Sequence, residues 1–346
     1  MRLLVTGGAG FIGSAVVRMA IREGHDVLNL DALRHAACLD NLASVAGLPQ
    51  YQFLHGDILD AALLDRALFA FQPDAVIHLA AESHVDRSIN GPLDFVRTNV
   101  LGTATLLVAA RDYWDDRGRP DDFRFLHVST DEVFGALGPT GRFNERSAYD
   151  PNSPYAASKA SSDHLVRAWG HTYGLPVVIT NCSNNYGPFQ FPEKLVPVVI
   201  LKALAGRPIP VYGSGNQMRD WLYVDDHARG LLCALQRGEP GESYVFGTGR
   251  EARNIDLVQQ ICAILDRKRP RRAPYAHQIS FVEDRPGHDF RYALDISLAQ
   301  RALGWHPMIG LDEGLEQTVD WYLENAKWTL SLGTRERAEP QERMAV

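Results

Sequence analysis

The first half of the chain alternates short apolar runs with longer stretches whose apolar residues recur at helical spacing. The runs are rich in Val, Leu and Ile and predict strands at 3–6, 27–30, 52–55, 75–79, 125–128 and 177–180. The stretches between them predict helices at 12–23, 61–71, 92–114 and 155–173. Strands that are apolar on both faces are typical of a parallel sheet covered by helices. The pattern therefore predicts an α/β fold with a doubly wound parallel sheet.

The regular alternation ends near residue 180. Loops containing Gly and Pro, at 184–188 and 212–216, then separate short elements, which predicts a smaller, discontinuous α/β substrate lobe over 182–330. A later apolar run predicts a further strand near 243–249 that returns to the main domain, residues 1–181. The polar and charged end, 333–346, is predicted to be a flexible tail.

Composition and charge point to a small-molecule partner. The 346 residues are 45% hydrophobic and have a net charge of −7, without a stripe of Lys and Arg, which argues against a nucleic-acid partner. No apolar run approaches the roughly 18 residues of a membrane span, and no signal-like segment is recognisable, so we expect a cytoplasmic protein with no membrane partner. The four cysteines lack metal-site spacing, and we expect free thiols and no metal.

A glycine-rich loop follows the first predicted strand and opens the first helix. In TGGAGFIG, residues 6–13, glycines permit a tight turn and a close approach of backbone N–H groups to a pyrophosphate, as in a Rossmann-like domain. The expected cofactor contacts here are Gly7, Gly10, Phe11, Ile12 and Gly13. Asp31 ends the second strand, where a carboxylate can accept hydrogen bonds from ribose hydroxyls and repel a 2′-phosphate. NAD is therefore the predicted cofactor, although the nearby Arg34 leaves NADP open.

The ends of the third and fourth strands supply further expected cofactor contacts. Asp57 and Ile58 follow the third strand, where the carboxylate would lie beside the adenine. Leu79, Ala80 and Ala81 end the fourth strand, where small side chains let a cofactor approach the backbone. Helix packing is the alternative explanation for the two alanines.

Two groups of polar residues suggest proton chemistry. Tyr155 and Lys159 share one helix face, so the ammonium can lower the pKa of the phenol and make it a base. Thr130, Asp131 and Glu132 follow the fifth predicted strand. Neighbouring carboxyls can differ in pKa, so one can act as general acid and the other as base, which permits elimination of water. A solvated turn or helix cap is the alternative for an isolated Asp-Glu pair.

The chain resembles the extended short-chain dehydrogenase/reductase family and, within it, the dTDP-glucose 4,6-dehydratases. The resemblance extends to about residue 328 and rests on specific strings. These are TGGAGFIG from Thr6, AAESHVDRSI from Ala80, STDEVFG from Ser129, PNSPYAASKA from Pro151, NCSNNYGPFQFPEKLVP from Asn181, RDWLYVDDHARG from Arg219 and DRPGHDFRYALD from Asp284.

The resemblance implies a concealed redox cycle that converts dTDP-glucose to dTDP-4-keto-6-deoxyglucose and water. By this resemblance Tyr155, assisted by Lys159 and with Thr130 holding the 4-hydroxyl, removes the hydroxyl proton while C4 gives hydride to NAD. Glu132 then takes the C5 proton and Asp131 protonates the departing 6-hydroxyl. The hydride finally returns to C6.

The resemblance also implies contacts for the substrate, a nucleotide-diphosphate sugar. The implied substrate residues are Ser83, Asn184, Lys194, Leu195, Pro210, Tyr212, Arg219, Asn254, Arg285, His288 and Tyr292, beside Thr130. Thr98 and Asn185 are expected on the cofactor side, and His84 is expected to be structural. A homodimer through a four-helix interface is implied as well. The helices at 92–114 and 155–173 carry aromatic residues that suit such an interface, and a place in the core is the equal alternative for each of them: Tyr113, Trp114, Trp169 and Tyr173.

The chain departs from the family pattern in three places, and other functions stay open. The loop at 32–38 lacks the family's usual Thr-Tyr-Ala-Gly-Asn run, Phe134 replaces a usual Tyr, and Phe290 stands where Arg is common. A dehydratase of another nucleotide sugar such as UDP-glucose is one alternative. A UDP-sugar 4-epimerase or UDP-glucuronate decarboxylase shares the fold but needs no acid–base pair at Asp131 and Glu132. A non-catalytic NAD-sensing regulator is a remote alternative.

Overall fold

The computed structural model describes residues 1–338. Its strands are β1 (Arg2–Thr6), β2 (Asp26–Asp31), β3 (Tyr51–His55), β4 (Ala75–His78), β5 (Arg124–Thr130), β6 (Val177–Cys182), β7 (Asn184–Tyr186), β8 (Ile209–Tyr212), β9 (Met218–Tyr223), β10 (Ser243–Phe246), β11 (Glu251–Arg253) and β12 (Ile279–Val282). The helices are α1 (Phe11–Arg22), α2 (Ala61–Phe71), α3 (Val85–Asn90), α4 (Pro92–Phe95), α5 (Thr103–Asp116), α6 (Pro154–Tyr173), α7 (Leu195–Leu204), α8 (Val224–Arg237), α9 (Asn254–Lys268), α10 (Ser297–Leu303), α11 (Leu311–Glu324) and α12 (Ala326–Ala338).

A seven-stranded parallel sheet forms the centre of the fold, in the order β10-β6-β5-β4-β1-β2-β3. Its central strands are fully buried because helices cover both faces, as the apolar runs predicted. All strands are parallel, but the chain adds strands towards one edge of the sheet from β1 to β3 and towards the other edge from β4 onwards. A crevice opens between β1 and β4 at the carboxyl ends of the strands. The predicted α/β, Rossmann-like fold is confirmed.

The second half of the chain builds a smaller unit beside the same edge of the sheet. A three-stranded sheet, β11-β9-β7, and the pair β12-β8 lie among α7, α9 and α11 around a separate apolar cluster. The strand predicted near 243–249 corresponds to β10, which pairs with β6 of the main sheet. The domain boundaries themselves stay a prediction. Helix α12 covers the first part of the predicted tail, and residues 339–346 lie outside the described residues.

The predicted helix at 92–114 is interrupted by a π-helical segment, Val96–Gly102, between α4 and α5. Asn99 explains the interruption. Its side chain accepts from the Glu82 N–H at 2.9 Å, donates to the Glu82 carbonyl at 3.0 Å and donates to Ser158 Oγ at 2.9 Å. These contacts with distant segments set the local geometry, and a π-helical turn is a frequent feature near functional sites.

The same helical stretch, Pro92–Asp116, has the length and apolar composition that a membrane crossing would need, but 44% of its most apolar window is buried. Its buried side packs against α2 and α6, while Leu93, Val96, Leu101 and Val108 are exposed. Of the aromatic residues for which an interface and a core place were both open, Tyr113 and Trp114 lie in the core and donate to the carbonyls of Pro73 and Pro120. Tyr173 alone of the four expected residues is exposed, and Trp169 is partly buried.

Candidate active site

One large cavity, of about 550 Å³, lies at the carboxyl ends of the parallel strands and extends into the smaller unit. All residues predicted above as catalytic, cofactor-binding or substrate-binding line its wall. They come from segments far apart in the chain, and the fold brings them together at the edge where doubly wound sheets bind ligands. Their individual roles remain predictions.

The glycine loop leaves room for a phosphate group at the start of α1. A Cβ on Gly13 would lie 2.1 Å from the Gly7 carbonyl oxygen, and one on Gly7, at φ +75°, would lie 2.6 Å from the Ala80 nitrogen. Gly10 caps α1 without a side-chain hydrogen bond, so backbone N–H groups of the first turn are available to an anion. The cradle therefore fits the pyrophosphate of a dinucleotide.

Asp31 lies beside this cradle with both carboxylate oxygens fixed by backbone donors. Oδ2 accepts from the Ala9 N–H at 2.9 Å and Oδ1 from the Leu33 N–H at 2.8 Å. Burial raises the pKa of Asp31, and these two backbone hydrogen bonds oppose that rise. Each oxygen keeps a second lone pair for a ribose hydroxyl. Arg34 forms an ion pair with Asp57 at 2.6 Å, so its guanidinium is already engaged, and the site fits NAD.

The Tyr155 phenol is held beside Thr130, whose hydroxyl hydrogen-bonds to it. The pKa of Tyr155 is raised well above its ordinary value because burial and the nearby Glu132 carboxylate disfavour the phenolate. This differs from the expectation that Lys159 lowers it. The buried Lys159 ammonium donates instead to the Val128 carbonyl at 2.8 Å, and burial lowers its own pKa. The helix spacing places both groups at the cavity without fixing their protonation.

Asp131 and Glu132 begin a 3₁₀ turn that Thr130 caps by accepting from the Glu132 N–H at 3.3 Å. Burial and the Glu132 charge raise the pKa of Asp131 well above its usual range, which favours the protonated acid. Burial also raises the pKa of Glu132, but the charges of Lys194, Arg219 and Arg285 oppose this rise. The adjacent carboxyls therefore have different surroundings, with one suited to donate a proton and the other to accept one.

Cations from separate segments converge on the substrate side of the cavity. Arg219 is held by carbonyl groups, donating to Asp289 at 2.7 Å and to Met218 at 2.8 Å, and its guanidinium lies 4.4 Å from the centroid of the Tyr292 ring. The Lys194 ammonium donates to the Ser83 carbonyl at 2.8 Å. Prepositioned Arg and Lys donors suit a diphosphate, which Arg can bind with two parallel hydrogen bonds.

Several buried polar atoms on the cavity wall lack a protein partner among the described residues. They are Asp131 Oδ2, Ser183 Oγ, Asn184 Oδ1, Gln190 Oε1, Trp221 Nε1, Asn254 Oδ1 and Arg285 Nε. Buried polar groups are normally paired, so these atoms indicate where a polar ligand binds. Ser183, Gln190 and Trp221 were not predicted from the sequence as site residues. All three lie inside the strings that carry the family resemblance, which is the signal that could have found them.

The departures from the family pattern lie at different distances from the cavity. Phe134 is buried and packs on Phe143, with ring centroids 5.2 Å apart, so a tyrosine hydroxyl is replaced by apolar contact. Phe290 is 51% exposed and does not line the cavity, while its carbonyl accepts from Arg219. His84, expected to be structural, caps α3 by accepting from the Arg87 N–H at 3.3 Å and also lines the cavity. The loop at 32–38 forms part of the cavity wall.

Comparison with known proteins agrees with this geometry. The model of the GDP-mannose 4,6-dehydratase family matches residues 4–318. A probable dTDP-glucose 4,6-dehydratase of Sinorhizobium fredii is 55% identical, over 100% of this chain and 99% of its own length. The dTDP-glucose 4,6-dehydratase of Xanthomonas campestris pv. campestris strain B100 is 58% identical over 94% of each chain.

A solved structure shows the same fold with its cofactor in place. DesIV, a dTDP-glucose 4,6-dehydratase from Streptomyces venezuelae with NAD bound, is 46% identical and superposes with a TM-score of 0.89, covering 96% of this chain and 100% of its own. The sequence resemblance predicted this relationship, and the comparisons confirm it. The chain belongs to the GDP-mannose 4,6-dehydratase family of nucleotide-sugar dehydratases.

Proposed function

We propose that the protein is an NAD-dependent lyase that converts dTDP-glucose to dTDP-4-keto-6-deoxyglucose and water. The observation that carries this conclusion is the pair Asp131 and Glu132, placed beside Tyr155 in a cavity whose glycine loop and Asp31 fit NAD. Relatives at 55% and 58% identity over nearly the whole chain bear the same dehydratase name, which supports dTDP-glucose as the substrate.

The residues of the chain divide the proton transfers among them. NAD, held by the glycine loop and Asp31, would supply the hydride acceptor for C4, the hydride donor for C6 and a positive charge in the site. The Tyr155 phenol, oriented by the Thr130 hydroxyl, takes the proton of the 4-hydroxyl once its pKa is lowered in the assembled site. Lys159 adds a fixed positive charge beneath the site.

The carbonyl formed at C4 acidifies the C5 proton, which the Glu132 carboxylate accepts. Asp131, held protonated by burial and by the Glu132 charge, gives its proton to the departing 6-hydroxyl, and water leaves. Glu132 then returns its proton to C5. At this point Tyr155 has gained one proton and Asp131 has lost one. Transfer of a proton from Tyr155 to Asp131 returns the protein to its starting state.

The same geometry weighs against the competing functions. An epimerase exchanges the configuration at C4 and has no need for a protonated acid beside a second carboxylate. A redox-sensing regulator has no need for buried polar groups aimed at a sugar or for the cations Lys194, Arg219 and Arg285. A dehydratase acting on another nucleotide sugar would use the same machinery, and the choice of base depends on the wall near Pro210 and Tyr212.

A substrate panel tests the proposal. Purified protein is incubated with dTDP-, UDP-, CDP- and GDP-glucose, and the products are identified by mass spectrometry and NMR. We expect the 4-keto-6-deoxy product with dTDP-glucose at the highest kcat/KM. A 4-epimer without loss of water would contradict the proposal, and so would inactivity on every nucleotide-glucose despite bound NAD.

We also propose that the protein is a cytoplasmic homodimer. The stretch Pro92–Asp116 exposes Leu93, Val96, Leu101 and Val108 on one chain, and Tyr173 of the neighbouring α6 is exposed too. Apolar side chains exposed on adjacent helices support a helix-to-helix contact with a second copy. Leu101→Glu should shift the sedimentation coefficient from dimer to monomer, while Leu48→Glu, at an exposed leucine elsewhere, should not. A wild-type protein that sediments as a monomer at micromolar concentration would overturn the dimer.

A further inference from the structure

A hydrogen-bonded contact joins the cofactor half of the cavity to the substrate half. His35 lies in the loop at 32–38 that follows β2, and its Nε2 is 2.8 Å from Oε2 of Glu193. Glu193 belongs to the segment between β7 and α7, in the smaller unit. Both residues line the cavity. The contact therefore spans the boundary between the part of the wall that faces the dinucleotide and the part that faces the sugar nucleotide.

The contact is well shielded from water. The side chains of His35 and Glu193 are 23% and 13% exposed, and the His35 ring packs on buried Phe191 with centroids 5.0 Å apart. His84 Nε2 lies 3.9 Å from the same Glu193 oxygen. Burial tends to raise the pKa of Glu193, but the hydrogen bond from His35 and the charge of Lys194 outweigh it and lower that pKa. Glu193 is thus an anion that neighbouring donors stabilise.

The segment that carries Glu193 also carries the next cavity contacts. Lys194 follows it directly, and the Lys194 ammonium donates to the Ser83 carbonyl at 2.8 Å. Residues 191–195 therefore touch the loop at 32–38 on one side and the end of the β4 loop on the other. Movement of this segment away from His35 would open the wall that lies between the cofactor and substrate regions.

Other contacts of the loop at 32–38 tie it to the main domain. Arg34 pairs with Asp57, the Ala32 carbonyl lies 3.3 Å from His55 Nε2, and the Cys38 N–H donates to the Ala9 carbonyl at 2.9 Å. Ala36 and Cys38 pack on the apolar cluster of the smaller unit, and His35 adds a side-chain hydrogen bond to Glu193. The family's usual Thr-Tyr-Ala-Gly-Asn run contains no histidine, so this hydrogen-bonded contact involves a residue at which the chain departs from the family pattern.

We propose that His35 and Glu193 are positioning residues that form a latch between the cofactor loop and the substrate lobe, and that this latch slows the release of bound NAD. A cycle that stores hydride on its cofactor and later returns it requires that the cofactor stay bound between the two transfers. The inference rests on the proposed use of NAD, but cofactor release is measured without substrate, so its failure is distinguishable from failure to turn over dTDP-glucose.

The test is the rate at which the holoenzyme exchanges bound NAD for isotopically labelled NAD, followed by mass spectrometry of the protein-bound nucleotide. Breaking a hydrogen bond to a charged group should speed release by about 10- to 100-fold in His35→Ala and in Glu193→Ala. His35→Gln, which can still donate to the carboxylate, should recover most of the slow release. His277→Ala, at an exposed histidine outside the cavity, should exchange at the wild-type rate.

A double-variant cycle separates a latch from general loosening of the fold. If the two residues act through one contact, the double alanine variant releases NAD no faster than either single variant. Exchange at the wild-type rate in both alanine variants would overturn the proposal, and independent, multiplying effects would overturn the pairing. Should an alanine variant fail to fold, Glu193→Gln, which keeps the shape of the side chain and removes its charge, provides the same comparison with wild type.

Discussion

Replacing Glu132 by Gln should separate the two halves of the reaction. Glu132 raises the pKa of Tyr155, so removing its charge lowers that pKa and leaves the first proton transfer, from the 4-hydroxyl, unimpaired. The same change removes the base for C5. A positioned general base contributes about 10²- to 10⁴-fold to rate, equivalent to roughly 3–5 kcal/mol of activation free energy. Glu132→Gln should therefore lose overall turnover by that factor while still oxidising C4.

Absorbance of reduced cofactor and NMR of the sugar measure the two halves separately. On addition of dTDP-glucose, Glu132→Gln should accumulate reduced cofactor and should fail to exchange the C5 hydrogen with deuterated solvent. Asp131→Asn should keep the exchange at C5 yet fail to lose water, because only the acid is removed. Tyr155→Phe, the control, should show neither signal. If Glu132→Gln behaved like Tyr155→Phe, or exchanged C5 hydrogen at the normal rate, the assigned division of roles would be refuted.

Three further predictions test the cradle, the phosphate site and the buried histidines. Gly13→Ala should yield protein without bound NAD, because the new Cβ would lie 2.1 Å from a backbone oxygen. The control Gly47→Ala, whose Cβ would have no neighbour within 4 Å, should keep its cofactor. The nucleotide released on denaturation is measured for both variants. Arg285→Gln should raise the KM for dTDP-glucose by about 10- to 100-fold, since a charged hydrogen bond to phosphate is worth roughly 1.5–3 kcal/mol, and an unchanged KM in steady-state kinetics would argue against phosphate binding there. Burial lowers the pKa of His227 to about 3, whereas an unfolded imidazole titrates near 6.5. Between these values the unfolded state binds a proton that the folded state does not. The free energy of unfolding should therefore fall by about 1.4 kcal/mol per pH unit as the pH drops from 6.5 towards 3. Denaturant melts of wild type and His227→Gln at several pH values check this, and equal pH slopes would show the assignment to be wrong.

The main sheet was predictable from the chain because its strands, apart from the edge strand β3, are buried on both faces. Apolar runs without alternation identified β1 to β6 to within two residues at either end. The π-helical segment Val96–Gly102 was not predictable in this way. Its geometry depends on Asn99, whose partners Glu82 and Ser158 come from the β4 loop and from α6. The spacing of apolar residues in the sequence predicts which face of a helix is buried, but it does not predict a polar contact with a distant segment.

The position of the predicted residues on one cavity wall followed from family strings and strand ends, although Ser183, Gln190 and Trp221 of the same wall were missed. The protonation states of the site residues were not predictable from the sequence. The spacing of Tyr155 and Lys159 predicted a lowered phenol pKa, whereas burial and Glu132 raise it. A helix spacing of four residues sets which side chains are neighbours, but the pKa depends on desolvation and on every charge nearby. The aromatic residues Tyr113 and Trp114 illustrate the same point for burial, because their side chains face α2 and the sheet rather than solvent.

The opposite roles of two adjacent carboxyls also arise from tertiary structure. Asp131 and Glu132 are neighbours in one turn, yet the charges of Lys194, Arg219 and Arg285 oppose the rise in the pKa of Glu132. The same cations suit the substrate diphosphate, whose negative charge would offset their effect on the Glu132 carboxylate. Diphosphate binding should therefore raise the pKa of Glu132 towards the working pH, where a general base is most effective. The substrate would thus adjust the base that acts on it, through the groups that hold its phosphates.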